Sequence, residues 1–175
     1  MIDPHQVPAY SLPNPREIPP GMGAVANRHA IPVHLLAAVC AKESSFSPWA
    51  WNPEPAYRYL WDVRESTPFR ALTNAERNAE IPPEDFPRLG GDRDQEWWGQ
   101  QSSWGLAQVM GAVAREYGFR GVFFPELCDP ETGLEYACRL LANLLSRYSV
   151  EDAVSAFNAG RPTQANEQTY VRPVL

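Results

Sequence analysis

Apolar positions recur at helical spacing along most of the chain, and proline, glycine and capping residues divide them into elements. Val33, Leu36, Ala37 and Cys40 fall at i, i+3, i+4 and i+7, a stripe that faces a core. Ile31-Pro32-Val33 opens that helix, with Pro32 suited to a first turn, and Ser47-Pro48 stops it beyond Lys42 and Glu43. Residues 104–117 read as a helix ended by Gly118, where a left-handed cap is wanted. Asp129-Pro130-Glu131 is a start signal, an N-cap aspartate followed by proline. Behind it Leu134, Ala137, Leu141, Leu144 and Tyr148 mark one face of a long helix running to about Tyr148. Ser149 with Asp152 three residues on resembles a capping box, and Gly160 ends the helix it opens. A short helix over residues 168–175 closes the chain.

Residues 49–98 break this rhythm. They hold six prolines, a turn at Leu89-Gly90-Gly91-Asp92, and room for short helices over residues 73–79 and 93–101. Period-two alternation fits only a short hairpin there. The predicted class is therefore mostly α, with a long irregular stretch in the middle.

Composition narrows the picture. The 175 residues are 44% hydrophobic and 21% charged, the balance of one soluble globular domain able to bury its own core. Six of the 18 prolines fall in the first twenty positions, so residues 1–21 predict an extended strap ahead of a domain over 22–175. The net charge of −6 argues against phosphate-driven binding of nucleic acid. No apolar run is long enough to insert in a membrane. Cys40, Cys128 and Cys138 have no metal-like spacing and read as buried, reduced thiols. His5, His29 and His34 lack partners at ligand spacing, so no metal and no cofactor are expected.

One residue conflicts with its surroundings. On a helical wheel Glu43 returns to the stripe of Leu36 and Cys40, seven residues after Leu36. An acid on a core face is costly unless paired, neutral or at an opening. The negative end of the helix dipole adds to that cost. Two readings fit: a fraying helix end with Glu43 in solvent, or a carboxyl whose raised pKa keeps a proton for general-acid work. Ser44 and Ser45 follow it directly. Sixty residues on, Ser103-Trp104-Gly105-Leu106-Ala107-Gln108 offers a flexible glycine and an amide one turn later. Ala156-Phe157-Asn158-Ala159-Gly160 ends a helix with another amide.

Glu43-Ser44 before an aromatic residue, Gly105-Leu106-Ala107-Gln108, Ala156-Phe157-Asn158-Ala159-Gly160 and then Tyr170-Val171 occur in an order that resembles the catalytic domain of the soluble lytic transglycosylases. Asp129-Pro130-Glu131-Thr132-Gly133 is similar to the same family, and the resemblance covers about residues 22–175. It implies a goose-type, lysozyme-like helical fold acting on bacterial peptidoglycan, with Glu43 as the single acid/base. Ser44 would hold Glu43, Gly105 and Gln108 would line the cleft, and Asn158 would bind sugar. The bond broken would join N-acetylmuramic acid to N-acetylglucosamine, leaving a 1,6-anhydro ring, with no cofactor.

Two departures from the family pattern stand out. Phe157 occupies the place of a tyrosine whose hydroxyl meets the catalytic acid, and Tyr170 is its natural substitute. The stretch between Glu43 and Gln108 is also longer than compact members carry. It is rich in aromatics, of which Trp49, Trp51, Tyr59, Trp61 and Trp98 are candidates for stacking on sugar rings. Packing these rings into a small core of the insertion fits equally well. Glu54, Asp62, Glu65, Asp92, Asp94 and Glu96 in the same stretch leave room for a second carboxylate and hence a hydrolytic muramidase, and a non-catalytic glycan-binding module is the further alternative. The start Met-Ile-Asp-Pro-His lacks the form of a secretory signal. That suits a bacteriophage enzyme, carried in the virion beside other virion proteins or held in the host cytoplasm until release.

Overall fold

The computed structural model describes residues 18–175. Most of the proline-rich strap expected over 1–21, and His5 with it, lies outside the described residues. Helix α1 (Met22–Arg28) was not evident from periodicity; it turns Met22, Val25 and Ala26 inward. Helix α2 (Val33–Ser44) begins directly after Pro32, which occupies the capping position with extended ψ rather than the first turn. Its buried face is Leu35, Leu36, Val39 and Cys40, whereas Val33, placed in the stripe by spacing, is 37% exposed. The error follows from position, since the first residue of a helix has no preceding turn to pack beneath it.

The end of α2 aims its last residues. Ser45 and Phe46 both adopt left-handed backbone, with φ of 53° and 62°. The Ser45 and Phe46 N–H groups donate to Ala41 O at 3.1 Å and Cys40 O at 3.3 Å, closing the helix as a glycine usually does. Burial of the Phe46 ring in the main core holds this strained turn in place.

Helix α3 (Arg93–Gln100) starts at Asp92, whose side chain accepts from Gln95 N–H at 2.6 Å. Beyond it the expected helix over 104–117 is corrected. The chain forms β4 (Ser102–Trp104), a tight turn, β5 (Val109–Met110), and only then helix α4 (Gly111–Glu116). Gly105 at φ 70° and Gln108 at φ 48° are incompatible with a continuous right-handed helix. Gly105 is obligatory for a second reason: a Cβ there would lie 2.4 Å from Leu127 O.

Strand β1 (Trp51–Pro53) completes a three-stranded antiparallel sheet in the order β1-β4-β5, pairing Asn52 with Ser103 and Ser103 with Met110. A separate hairpin joins β2 (Trp61–Asp62) to β3 (Thr67–Pro68) inside the 49–98 insertion. In place of the helix over 73–79 stands one 3-10 turn at Glu76–Asn78. Leu60, Leu72, Phe86 and Trp97 form a core of the insertion's own, with Phe69 against it.

Helix α5 (Pro130–Leu145) runs through the main core, burying Leu134, Ala137, Cys138, Leu141 and Leu144. Asp129 caps it, accepting from Thr132 N–H at 2.9 Å. It ends at Leu145, so Tyr148 lies past the helix and is exposed. Helix α6 (Val150–Ala159) is capped by Ser149 through Asp152 N–H and ends at Gly160 in left-handed conformation. A π-helical turn (Glu167–Val171) and a last turn of helix (Arg172–Val174) return the C-terminus to the end of α2. Cys40, Cys128 and Cys138 are buried and free.

Candidate active site

Glu43 sits one residue before the end of α2, half-buried, on the rim of a cleft of about 940 Å³. Its carboxylate accepts a hydrogen bond from the Tyr170 hydroxyl, a residue 127 positions away. Tyr170 is buried behind it, carried by the π-helical turn. One turn of π-helix shifts side-chain direction relative to an α-helix, which is how such turns come to serve sites. A polar lattice fixes that C-terminal segment. Ser155 Oγ donates to Asn166 Oδ1 at 2.8 Å, and Asn166 Nδ2 donates to Ser155 O at 3.0 Å and Asn158 Oδ1 at 3.1 Å.

Burial pushes the Glu43 carboxyl above its ordinary value of 4.5, and the nearby Glu54 charge adds to the rise. The Tyr170 hydrogen bond and Lys42 oppose it without cancelling it. Tyr170 is itself pushed up, first by burial and then by the Glu43 charge, so its hydroxyl stays a donor. The result is an acid that holds its proton longer than a surface glutamate, oriented by a phenol and open to a groove.

The hairpin forms one wall. Gln108 lines the cleft but its amide is engaged: Nε2 donates to Ala50 O at 3.0 Å and Gly105 O at 2.9 Å, and Oε1 accepts from Ser103 Oγ at 3.0 Å. Gly105 N–H donates to the same Ala50 carbonyl at 2.8 Å. Gln108 thus locks the turn and ties it to the insertion, and Gly105 stands behind the cleft surface. Ser44 does not hold Glu43 directly; its hydroxyl donates to Leu106 O at 2.7 Å, pinning the end of α2 to the hairpin. Phe157 and Asn158, at the end of α6, line the opposite side. Phe157 has no hydroxyl to offer, and Tyr170 makes the contact with Glu43 instead.

Of the five aromatics that were candidates for stacking on sugar, the cleft takes only Tyr59, together with Tyr57 from the same loop and Tyr117 from the end of α4. Alternation along β1 explains part of this. Asn52 faces the cleft and Trp51 therefore points to the other face, where its ring meets Trp104 at 6.1 Å. Trp49 is 68% exposed and does not line the cleft. Trp61 is held by its backbone to Gln100, donating at 2.7 Å and accepting at 2.9 Å. Trp98 borders a small separate pocket with Arg58 and Arg77.

Of the six acids singled out in the insertion, Glu54 alone lines the cleft. Asp62 is bound to Arg64 at 2.9 Å, Asp92 caps α3, and Glu96 is buried against Arg115. The sequence did not single out Glu116, Tyr117 or Arg147, which also line the cleft. Their signal lay in spacing: Val113, Glu116 and Tyr117 fall at i, i+3 and i+4, and Leu140, Leu144 and Arg147 at i, i+4 and i+7. Among the described residues no cluster of three or more His, Cys, Asp or Glu suits a metal, and no helix is long and apolar enough to cross a membrane.

Comparison with curated proteins and with solved structures gave no match. The family model of the transglycosylase SLT domain matches residues 22–173, a span that holds α1, the Glu43 helix, the hairpin, α6 and Tyr170. The chain belongs to this family, the lytic transglycosylases that cleave glycosidic bonds of peptidoglycan.

Proposed function

We propose that the chain breaks the β-1,4 bond between N-acetylmuramic acid and N-acetylglucosamine with Glu43 as its single acid/base. Protonated Glu43 gives its proton to the glycosidic oxygen as the bond to the muramoyl anomeric carbon breaks. The substrate's acetamido group supports the positive charge that develops. The Glu43 carboxylate then takes the proton of the muramoyl 6-hydroxyl, whose oxygen attacks the anomeric carbon and closes a 1,6-anhydro ring. Glu43 ends protonated, ready for another turn, and no water is consumed.

The observation that carries this reading is the hydrogen bond from buried Tyr170 to a half-buried Glu43 with a raised pKa on the rim of the cleft. The phenol supplies the orientation that Phe157 cannot. Asn158, whose Oδ1 is occupied by Asn166, keeps its Nδ2 for a sugar oxygen. Tyr57 and Tyr59 offer rings and hydroxyls along the same groove.

A second reading draws on Glu54, which shares the cleft and whose charge acts on Glu43. With Glu54 activating a water, the same fold would hydrolyse the bond. Mass spectrometry of soluble products from purified peptidoglycan separates the two. The proposal expects muramoyl ends lighter by one water with no new reducing ends; reducing muramic acid ends would overturn it in favour of hydrolysis.

A further inference from the structure

We infer that Arg147 is the residue by which this cleft recognises a carboxylate on the glycan strand. Among the described residues it is the one Lys or Arg lining the cleft, in a groove that also presents Glu43, Glu54 and Glu116. The inference rests on the wall-glycan substrate of the family and is independent of whether the product is an anhydro sugar or a reducing end.

Arg147 follows the end of α5, and its backbone N–H donates to Leu144 O at 3.0 Å, which fixes its Cα against the cleft wall. The guanidinium lies 5.3 Å from the centre of the Tyr148 ring, and Nε–H donates to Asn143 O at 3.3 Å. That long bond is the only one it makes among the described residues, and no carboxylate there lies within ion-pair distance. Both terminal amino groups therefore keep their N–H donors, the fork that matches a carboxylate in two parallel bonds.

Other arginines show what a committed fork looks like here. Arg115 grips both oxygens of Glu96 at 2.9 Å, and Arg70 reaches Glu76 and Asp85 at 2.7 and 2.6 Å. A basic residue beyond a helix C-terminus also offsets the dipole. That role uses only charge and the bond to Asn143, and leaves the fork free. Tyr117 is close enough for the Arg147 charge to act on its phenol, so the fork stands beside the groove's tyrosines.

A peptidoglycan strand carries carboxylates at two places: on the lactyl group of muramic acid, amidated when a stem peptide is attached, and on the stem peptide itself. Glu54 and Glu116 repel either one, which leaves Arg147 as the attractive element that sets where along the groove the anion lies.

The test compares wild type with Arg147→Gln and Arg147→Lys on three substrates, counting released soluble glycan whatever its end. The substrates are strands with stem peptides, strands stripped to lactyl carboxylates, and strands whose carboxyls are all converted to methylamides. On strands that carry the recognised carboxylate, Arg147→Gln raises KM about tenfold with kcat little changed, the loss of one charge-assisted pair. Arg147→Lys restores part of it. Wild type loses the same factor on the methylamide strands, where Arg147→Gln adds nothing. Loss confined to stripped strands identifies the lactyl carboxylate, which is an amide wherever a stem is attached; loss on strands with stems identifies the peptide carboxylate. Equal loss on methylamide strands, or no loss on either carboxylate-bearing strand, would overturn the inference.

Discussion

Two regions of this molecule each put a glutamate out of water, and they do so in opposite ways. At the junction of α3 and α4, Glu96 is buried with Arg115 on both oxygens at 2.9 Å and Gln100 Nε2 on Oε1 at 2.9 Å. Arg115 is 0% exposed and lies 4.8 Å from the centre of the Phe119 ring and 4.4 Å from that of Phe124. Its other amino group donates to Phe119 O and Gly121 O, so all three of its nitrogens are engaged. At the end of α2, Glu43 has a single phenol and a groove. The first arrangement engages both carboxylate oxygens in holding two elements together. The second leaves an acid undersupplied with donors, which is what proton transfer to a visiting oxygen requires.

Removing one partner from each region should therefore fail differently. Arg115→Ala leaves Glu96 buried and unpaired and should cost about 3–5 kcal/mol of stability by denaturant melting. Activity should vanish with the fold, because α4 carries Glu116 and Tyr117 into the cleft. A stable, active Arg115→Ala protein would show that the contrast between the regions is drawn wrongly. Tyr170→Phe should keep the fold and lower kcat about ten- to a hundredfold, the loss of an orienting hydrogen bond in the transition state. Phe157→Ala should lower activity only as far as it lowers folding; the reverse ranking, measured by rates normalised to folded fraction, would remove Tyr170 from the site.

The smallest effect sharpens the comparison through pH. A carboxyl with a raised folded pKa lets the folded protein bind more protons than the unfolded one. Its contribution to stability then falls as pH rises from 4.5 through the folded value. Glu43→Gln should raise the melting midpoint above that window and lose the advantage below it. A midpoint shift independent of pH would mean that burial of the charge is not felt.

Much of this was legible in the sequence because it depends on local chemistry. Asp129, Ser149 and Gly160 mark helix ends through groups within three residues of themselves, and the structure uses all three. Glu43 was legible because a wheel turns on seven residues. The hairpin was not, since Gln108 at φ 48° is held by side-chain bonds to Ala50, 58 positions away. For the tryptophans of the insertion residue type left sugar stacking and core packing equally open, and the alternation of β1 and the backbone ties of Trp61 decide where they face. The bond between Tyr170 and Glu43 lay within reach of family position alone. Glu116 and Arg147 were hidden because the last residue of α4 and the turn after α5, 31 positions apart, meet in one groove only through the fold.

The central claim is that Glu43 is the acid and base of glycan cleavage. The direct measurement is release of soluble glycan from purified peptidoglycan by Glu43→Gln, beside a melt showing that the protein is folded. The account predicts a fall of about a thousandfold or more with the fold intact, the range for loss of a general acid. Release within about tenfold of wild type by the folded Glu43→Gln protein would contradict it.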